Sequence, residues 1–212
     1  MLRYLYADQL DQFPMLRDAM FRDRADQFKT RLEWDVTVDA HGFEQDQYDA
    51  LNPLYVIWEM PDGSHGGSMR FLPTTGRTMV NEHFTDILGG GTIVSPHIWE
   101  CTRFCLNPAA PSRVAAALML GGGEIMQNFD VHHFTGVFDA RMVRIYRMIG
   151  ASPEVLGTQG AGRAAISVGL WEFTSAAQAL VAKRAEVTPE LSKLWFERSF
   201  GAATSLKLAV AG

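Results

Sequence analysis

Cys101 and Cys105 are the only cysteines among 212 residues. Two thiols make no disulfide framework, and a reducing compartment is expected. Positive charge is also short. Nineteen lysines and arginines face 24 acids, for a net charge of −5, so the basic face of a nucleic-acid binder is missing. No apolar run approaches membrane-spanning length, and MLRYLYADQLDQF at the N-terminus puts acids where a signal peptide has its apolar core. These absences point to a soluble cytoplasmic protein with neither nucleic acid nor membrane as partner. Its 47% hydrophobic residues can fill one full core, so residues 1–212 are expected to form a single domain.

The periodicities alternate between two kinds. Leu2–Tyr6 reads as a strand and 11–32 as a helix with Pro14 in its first turn. LYVIWE (54–59) and 68–72 flank the turn PDG and form a hairpin. A short helix over 78–88 stops at Gly89-Gly90-Gly91. Strands are expected near 97–106, 132–138 and 164–173. Helices follow over 113–128, 139–149 and from Thr174, with Pro189 starting the last through Phe200. Antiparallel strands and then strand–helix alternation imply a three-layer mixed α/β sandwich.

Charge is distributed less evenly. No lysine or arginine lies between Arg31 and Arg70, a span holding eight acids, and FEQDQYD (43–49) is its densest part. By itself such a run is a solvated loop. However, Arg70, Glu100 and Arg103 sit in apolar strands, where charges need partners. In HIWECTRFC (97–105), Glu100 and Arg103 are three apart and point to opposite faces unless the strand bulges. An outward salt bridge at a sheet edge is the alternative. Arg24 and Phe28 share a helix face one turn apart, with Trp34 just beyond the helix.

Arg24-x3-Phe28, Trp34, Glu44-x-Asp46-x2-Asp49, Arg70, Phe84 and Glu100-x2-Arg103-Phe104 together resemble the acyl-homoserine lactone synthases, the autoinducer synthases of bacterial quorum sensing. The resemblance covers roughly residues 1–150. It implies a fold similar to the acyl-CoA N-acetyltransferases, with a splayed central sheet. It also implies that S-adenosyl-L-methionine, a substrate rather than a cofactor, is acylated on its amine and then lactonised with release of 5′-methylthioadenosine. No cofactor and no metal are implied. The segment NPAAPS (107–112) lacks the Gly-rich pyrophosphate loop of the wider superfamily, so acyl-acyl carrier protein is the expected donor and acyl-CoA the alternative.

On this reading Glu100 is the general base, directly or through a water, with its pKa raised by desolvation. Arg103 orients the substrate carboxylate or holds Glu100 ionised. Phe28 and Trp34 offer aromatic faces to the sulfonium or the base, and Phe84 packs the wall. Asp46 and Asp49 either attract the cation or, as favoured here, pair with Arg24 and Arg70 to fold the 35–53 loop over the site. Region 24–50 is expected to act as a lid. Small residues along 113–128 suggest room for a medium-to-long acyl tail. Arg141, Arg144 and Arg147 form a stripe suited to an acidic carrier protein, with Met142, Ile145 and Met148 facing the core. His132-His133 make a poor metal pair, while Cys101 and Cys105 could share a strand face. Rival readings are an N-acyltransferase using acyl-CoA on another amine and a catalytically inactive ligand-binding relative. The oligomeric state is left open.

Overall fold

The computed structural model describes residues 1–201. Seven strands form one sheet in the order β1-β2-β3-β4-β5-β7-β6. They are β1 (Leu2–Tyr6), β2 (Leu54–Glu59), β3 (His65–Pro73), β4 (Ile98–Leu106), β5 (His133–Asp139), β6 (Glu154–Gln159) and β7 (Ile166–Trp171). Every neighbouring pair is antiparallel except β4–β5. The helices are α1 (Pro14–Ala25), α2 (Met79–His83), α3 (Val114–Asn128), α4 (Ala140–Ile149), α5 (Ser175–Ala185) and α6 (Pro189–Phe200). Strand β6 is not anticipated by the sequence reading. EVLGTQ has little apolar alternation, because this edge strand is mostly exposed.

The larger core gathers β1–β3 with α3, α5 and α6. The three glycines of α3 set how closely it lies on the sheet. An added Cβ would come within 2.7 Å of Val56 at Gly121 and 2.0 Å of the Phe173 ring at Gly123. The small residues therefore admit neighbouring side chains rather than an acyl tail, which corrects the expectation drawn from them. A smaller core on the other face joins α1 to β1 and β2 through Leu16, Met20, Phe21 and Tyr55.

Two irregularities shape the centre. β4 and β5 pair only from Ile98↔His133 to Glu100↔Thr135 and then part, leaving a V-shaped cleft. Against β3, Ser68 faces Cys105 while Arg70 faces Thr102, so β4 carries one extra residue there. Arg103 sits in this bulge at φ +54°, a left-handed conformation that costs a non-glycine residue ~1–2 kcal/mol. The bulge also reverses the parity of the strand. Cys101 contacts Met69 in the larger core, whereas Cys105 lies opposite Ser68 on the α1 face. The two thiols do not share a face.

Candidate functional site

Past Ala25 the first helix widens into a π turn over Asp26–Arg31, with Leu32 N–H donating to the Gln27 carbonyl five residues back. Such turns re-aim side chains without ending a helix. Here the turn presents Phe28 to Trp34, whose rings stack at 5.2 Å and 16°. Gln27 bridges to β4 where β5 has left it. Its amide donates to the Phe104 carbonyl at 2.8 Å and accepts from Leu106 N–H at 3.0 Å.

Three arginines and three carboxylates form a buried lattice beside this stack. Arg24 donates to Glu44 at 2.6 Å and to both oxygens of Asp49 at 3.0 and 2.9 Å. Arg70 takes Asp46 in a two-pronged contact at 2.5 and 2.9 Å, reaches Asp49 at 2.8 Å and donates to the Thr102 hydroxyl at 3.0 Å. Arg103 reaches Glu44 and Asp46, each at 2.8 Å. The Tyr55 hydroxyl donates to Asp49. Arg24, Arg70 and Glu44 are fully buried. Burial alone would raise the Asp49 pKa, but Arg24 and Arg70 outweigh it and hold that carboxyl far below its usual range. Segment 44–49 is thus fastened to the sheet. The stretch 33–42 is by contrast mostly exposed.

Glu100 lies deeper than Arg103 and does not pair with it. One of its oxygens accepts from Met79 N–H at 3.0 Å and the other from Val80 N–H at 2.6 Å, at the start of α2. Burial pushes its pKa up, against the downward pull of these two hydrogen bonds and of Arg70. The expectation that Arg103 holds Glu100 ionised is corrected. The bulge turns Arg103 toward the acidic segment, which claims its guanidinium.

A cavity of about 1180 Å³ joins these parts. Phe28, Trp34, Asp46, Phe84 and Arg103 line one end. The other end passes between β4 and β5 to Met119, Gly136, Met142, Ile145, Tyr146 and Trp171. Glu100 stands behind its wall.

Arg141 binds Asp139, its own helix cap, at 2.5 Å, and both residues line the cavity. Arg144 and Arg147 are exposed. Met148 is 63% exposed rather than core-facing, and Tyr146 and Ile149 are the buried residues of α4. A triplet spacing drifts around a helix, so the buried stripe follows 142, 145–146 and 149 instead.

His97 and His132 meet Asp130 at the closed end of the β4–β5 pair. Their rings are parallel within 8° at 4.5 Å. In that arrangement their lone pairs do not converge on one ion.

Sequence reasoning left out Gln27, Thr102, Tyr55 and Tyr146. Thr102 carried a signal, since it shares strand parity with Glu100. Tyr146 carried none beyond helical spacing.

Residues 9–174 match the model of the autoinducer synthase family. An acyl-homoserine-lactone synthase of Rhizobium etli is 40% identical over 182 residues, 82% of this chain and 85% of that protein. Among solved structures, the CoA-dependent acyl-homoserine lactone synthase MesI superposes with a TM-score of 0.78 at 22% identity, over 90% of this chain and 98% of that one. BjaI, a CoA-dependent synthase solved with SAM and isopentyl-CoA, gives 0.77 at 19%, covering 90% and 91%. The fold extends to a Lactobacillus plantarum protein assigned as an N-acetyltransferase, with a TM-score of 0.54 at 14% identity, covering 82% of this chain and 99% of that one.

Proposed function

The chain belongs to the autoinducer synthase family and is an acyltransferase that makes acyl-homoserine lactones, and from that premise we propose that it joins S-adenosyl-L-methionine to an acyl group delivered by an acyl carrier protein. The observation carrying this reading is one continuous cavity that leads from the Phe28–Trp34 stack, past Arg103, into an apolar pocket beyond the splayed strands. A two-substrate reaction needs two dissimilar compartments that meet. The aromatic end suits a sulfonium and an adenine, for which each desolvated cation–π contact is worth ~0.5–2 kcal/mol. The apolar end suits an acyl tail of medium length or longer, at about 0.8 kcal/mol per buried CH₂.

In this reaction the methionine amine attacks the thioester carbonyl, and the carrier thiol leaves as the amide forms. The substrate carboxylate then displaces methylthioadenosine from the carbon bonded to sulfur, closing the lactone. Only the first step needs a base. Glu100 fills that role through a water, since both its oxygens already accept backbone N–H groups and it stands behind the cavity wall. Arg103, Arg24 and Arg70, with Asp46 and Asp49, shape the methionine end by holding segment 44–49 against β3 and β4. The second step is governed by positioning, because the sulfonium already activates its carbon.

MesI and BjaI use CoA by their own descriptions, and acyl-CoA is the competing donor. Asn107, Pro108 and Ala110 to Ser112 line the cavity, and the segment 107–112 holds two prolines and no glycine. Backbone N–H groups that could cradle a pyrophosphate are thereby reduced. Exposed Arg144 and Arg147 on α4 offer an acidic carrier a basic surface.

Mass spectrometry of extracts from expressing cells is expected to find N-acyl-homoserine lactones, and the purified protein should release methylthioadenosine. Absence of both products would overturn the reading. Faster turnover with acyl-CoA than with the matched carrier-bound donor would overturn its carrier-protein part.

A further inference from the structure

Where β5 leaves β4, the backbone of β4 loses its strand partner. Pairing ends at Glu100↔Thr135, and Phe104 and Leu106 lie farther along the freed edge. The side chain of Gln27 takes one group from each. Its Nε2 donates to the Phe104 carbonyl at 2.8 Å, and its Oε1 accepts from Leu106 N–H at 3.0 Å. These are the two contacts that a residue of a parallel strand would make on either side of Cys105. They also fix which end of the amide is oxygen, because a backbone carbonyl only accepts and an N–H only donates.

A glutamine amide has two N–H donors and two lone pairs on its oxygen. The bridge to β4 uses one of each, and no other described residue hydrogen-bonds this amide. Gln27 is half-buried and lines the cavity, so the unused valences belong to a group that enters it. Polar side chains nearby are already committed. Asn107 donates to Asp23 at 2.9 Å and accepts from Ala109 N–H at 2.8 Å. The Thr102 hydroxyl accepts from Arg70 at 3.0 Å. Leu106, Asn107 and Pro108 line the cavity beside Gln27, so a chain passing over them toward Arg103 meets this amide. The π turn that carries Phe28 also holds Gln27 in place.

We propose that Gln27 positions the acyl donor, its Oε1 accepting a hydrogen bond from an amide N–H of the arm that carries the thioester. Carrier proteins and CoA present their thioesters on the same pantetheine arm, which contains secondary amides. An N–H drawn out of water into the cavity needs a partner more strictly than a carbonyl does, since it has a single hydrogen to place. The backbone of β4 at 104–106 is already satisfied, and the side chain of Gln27 carries its edge one amide farther into the cavity. This rests on the two-substrate reading above and adds the residue that sets where the arm lies.

Two small thioesters isolate the contact. S-octanoyl-N-acetylcysteamine copies the end of the arm with its amide, and the ester analogue has oxygen in place of the N–H. Each is given to the full chain with saturating S-adenosyl-L-methionine, and the lactone is counted by mass spectrometry. The native chain is expected to use the amide about three- to tenfold better in kcat/KM, the range of one neutral hydrogen bond. Gln27→Met, of similar length but without the amide, should bring that ratio close to one. It should also raise KM for octanoyl-carrier protein and octanoyl-CoA by a similar factor, and the faster of these two donors names the source of the arm. A residue that only braces β4 would slow both small thioesters alike and leave their ratio intact, which overturns the proposal. So does a native ratio near one. If Gln27→Met does not fold, the native ratio decides the matter. If only the two full donors react, their KM decides it, and an unchanged donor KM in Gln27→Met overturns the proposal. Lactone formation from none of the four donors would instead refute the underlying assignment of substrates, and the proposal with it.

Discussion

Arg103 donates to Glu44 at 2.8 Å from a backbone held at φ +54°, so a strained bulge in β4 and an acidic loop 59 residues away hold each other in place. Glu44 also accepts from Arg24 at 2.6 Å, and its side chain is fully buried. Replacing it with glutamine leaves two guanidiniums facing an uncharged amide. Breaking a buried ionic network by removing one partner costs ~3–5 kcal/mol. Glu44→Gln should therefore lower the denaturant midpoint by a matching amount. A loss under 1 kcal/mol would mean that the lattice relaxes around water.

Glu100→Gln addresses the base. The amide keeps the shape but loses the proton acceptor, and removing a general base lowers turnover by ~10²–10⁴-fold. One of the two backbone donors of α2 also loses its acceptor, so stability should fall by about 1–3 kcal/mol. S-adenosyl-L-methionine affinity, measured by calorimetry, should survive. Near-normal turnover in Glu100→Gln would remove it from the mechanism.

The raised pKa of Glu100 gives that experiment a second readout. The deprotonated form is the base, so the native rate should rise with pH through a value above the ordinary carboxylate range. In Glu100→Gln this limb should disappear. A native profile already flat above ~4.3, the unperturbed glutamate value, would argue against burial tuning the base.

Asp49 carries the opposite sign. Its folded pKa lies far below the unfolded one, so its stabilisation is complete above about 3.9. That contribution is lost as pH falls toward the folded value, because the unfolded chain then binds the proton first. Asp49→Asn should lower stability near neutrality and flatten its fall below about pH 4. Denaturation curves at several acidic pH values would show whether the two chains converge.

If part of 24–50 closes over the site, hydrogen exchange can draw its boundary. Segment 44–49 is held by the arginine lattice and should be protected without ligand. Exchange in 33–42, which includes the exposed Trp34, should slow when S-adenosyl-L-methionine is added. Equal slowing across both segments would mean that the lattice itself forms on binding.

Much of this protein was legible in its residues. Apolar periodicity located six of the seven strands, and the cap Asp139 and the stop Gly150 bound α4 as expected. The pairing of Asp46 and Asp49 with Arg24 and Arg70 followed from an acidic run with no cation of its own, since buried arginines elsewhere had to find it. Strand β6 was missed because an exposed edge needs no apolar alternation.

Tertiary structure decided the rest. The extra residue in β4 is invisible in a string, yet it turns Arg103 toward Glu44 and puts Cys101 and Cys105 on opposite faces. Helix α3 illustrates the same limit, because a run of alanine and glycine permits either a tunnel or close packing. Only the positions of Val56, Phe134 and Phe173 show that the space is already filled. Local sequence sets which groups must be paired or buried. Which partner each one meets depends on where distant segments are held, and that is a property of the packed sheet.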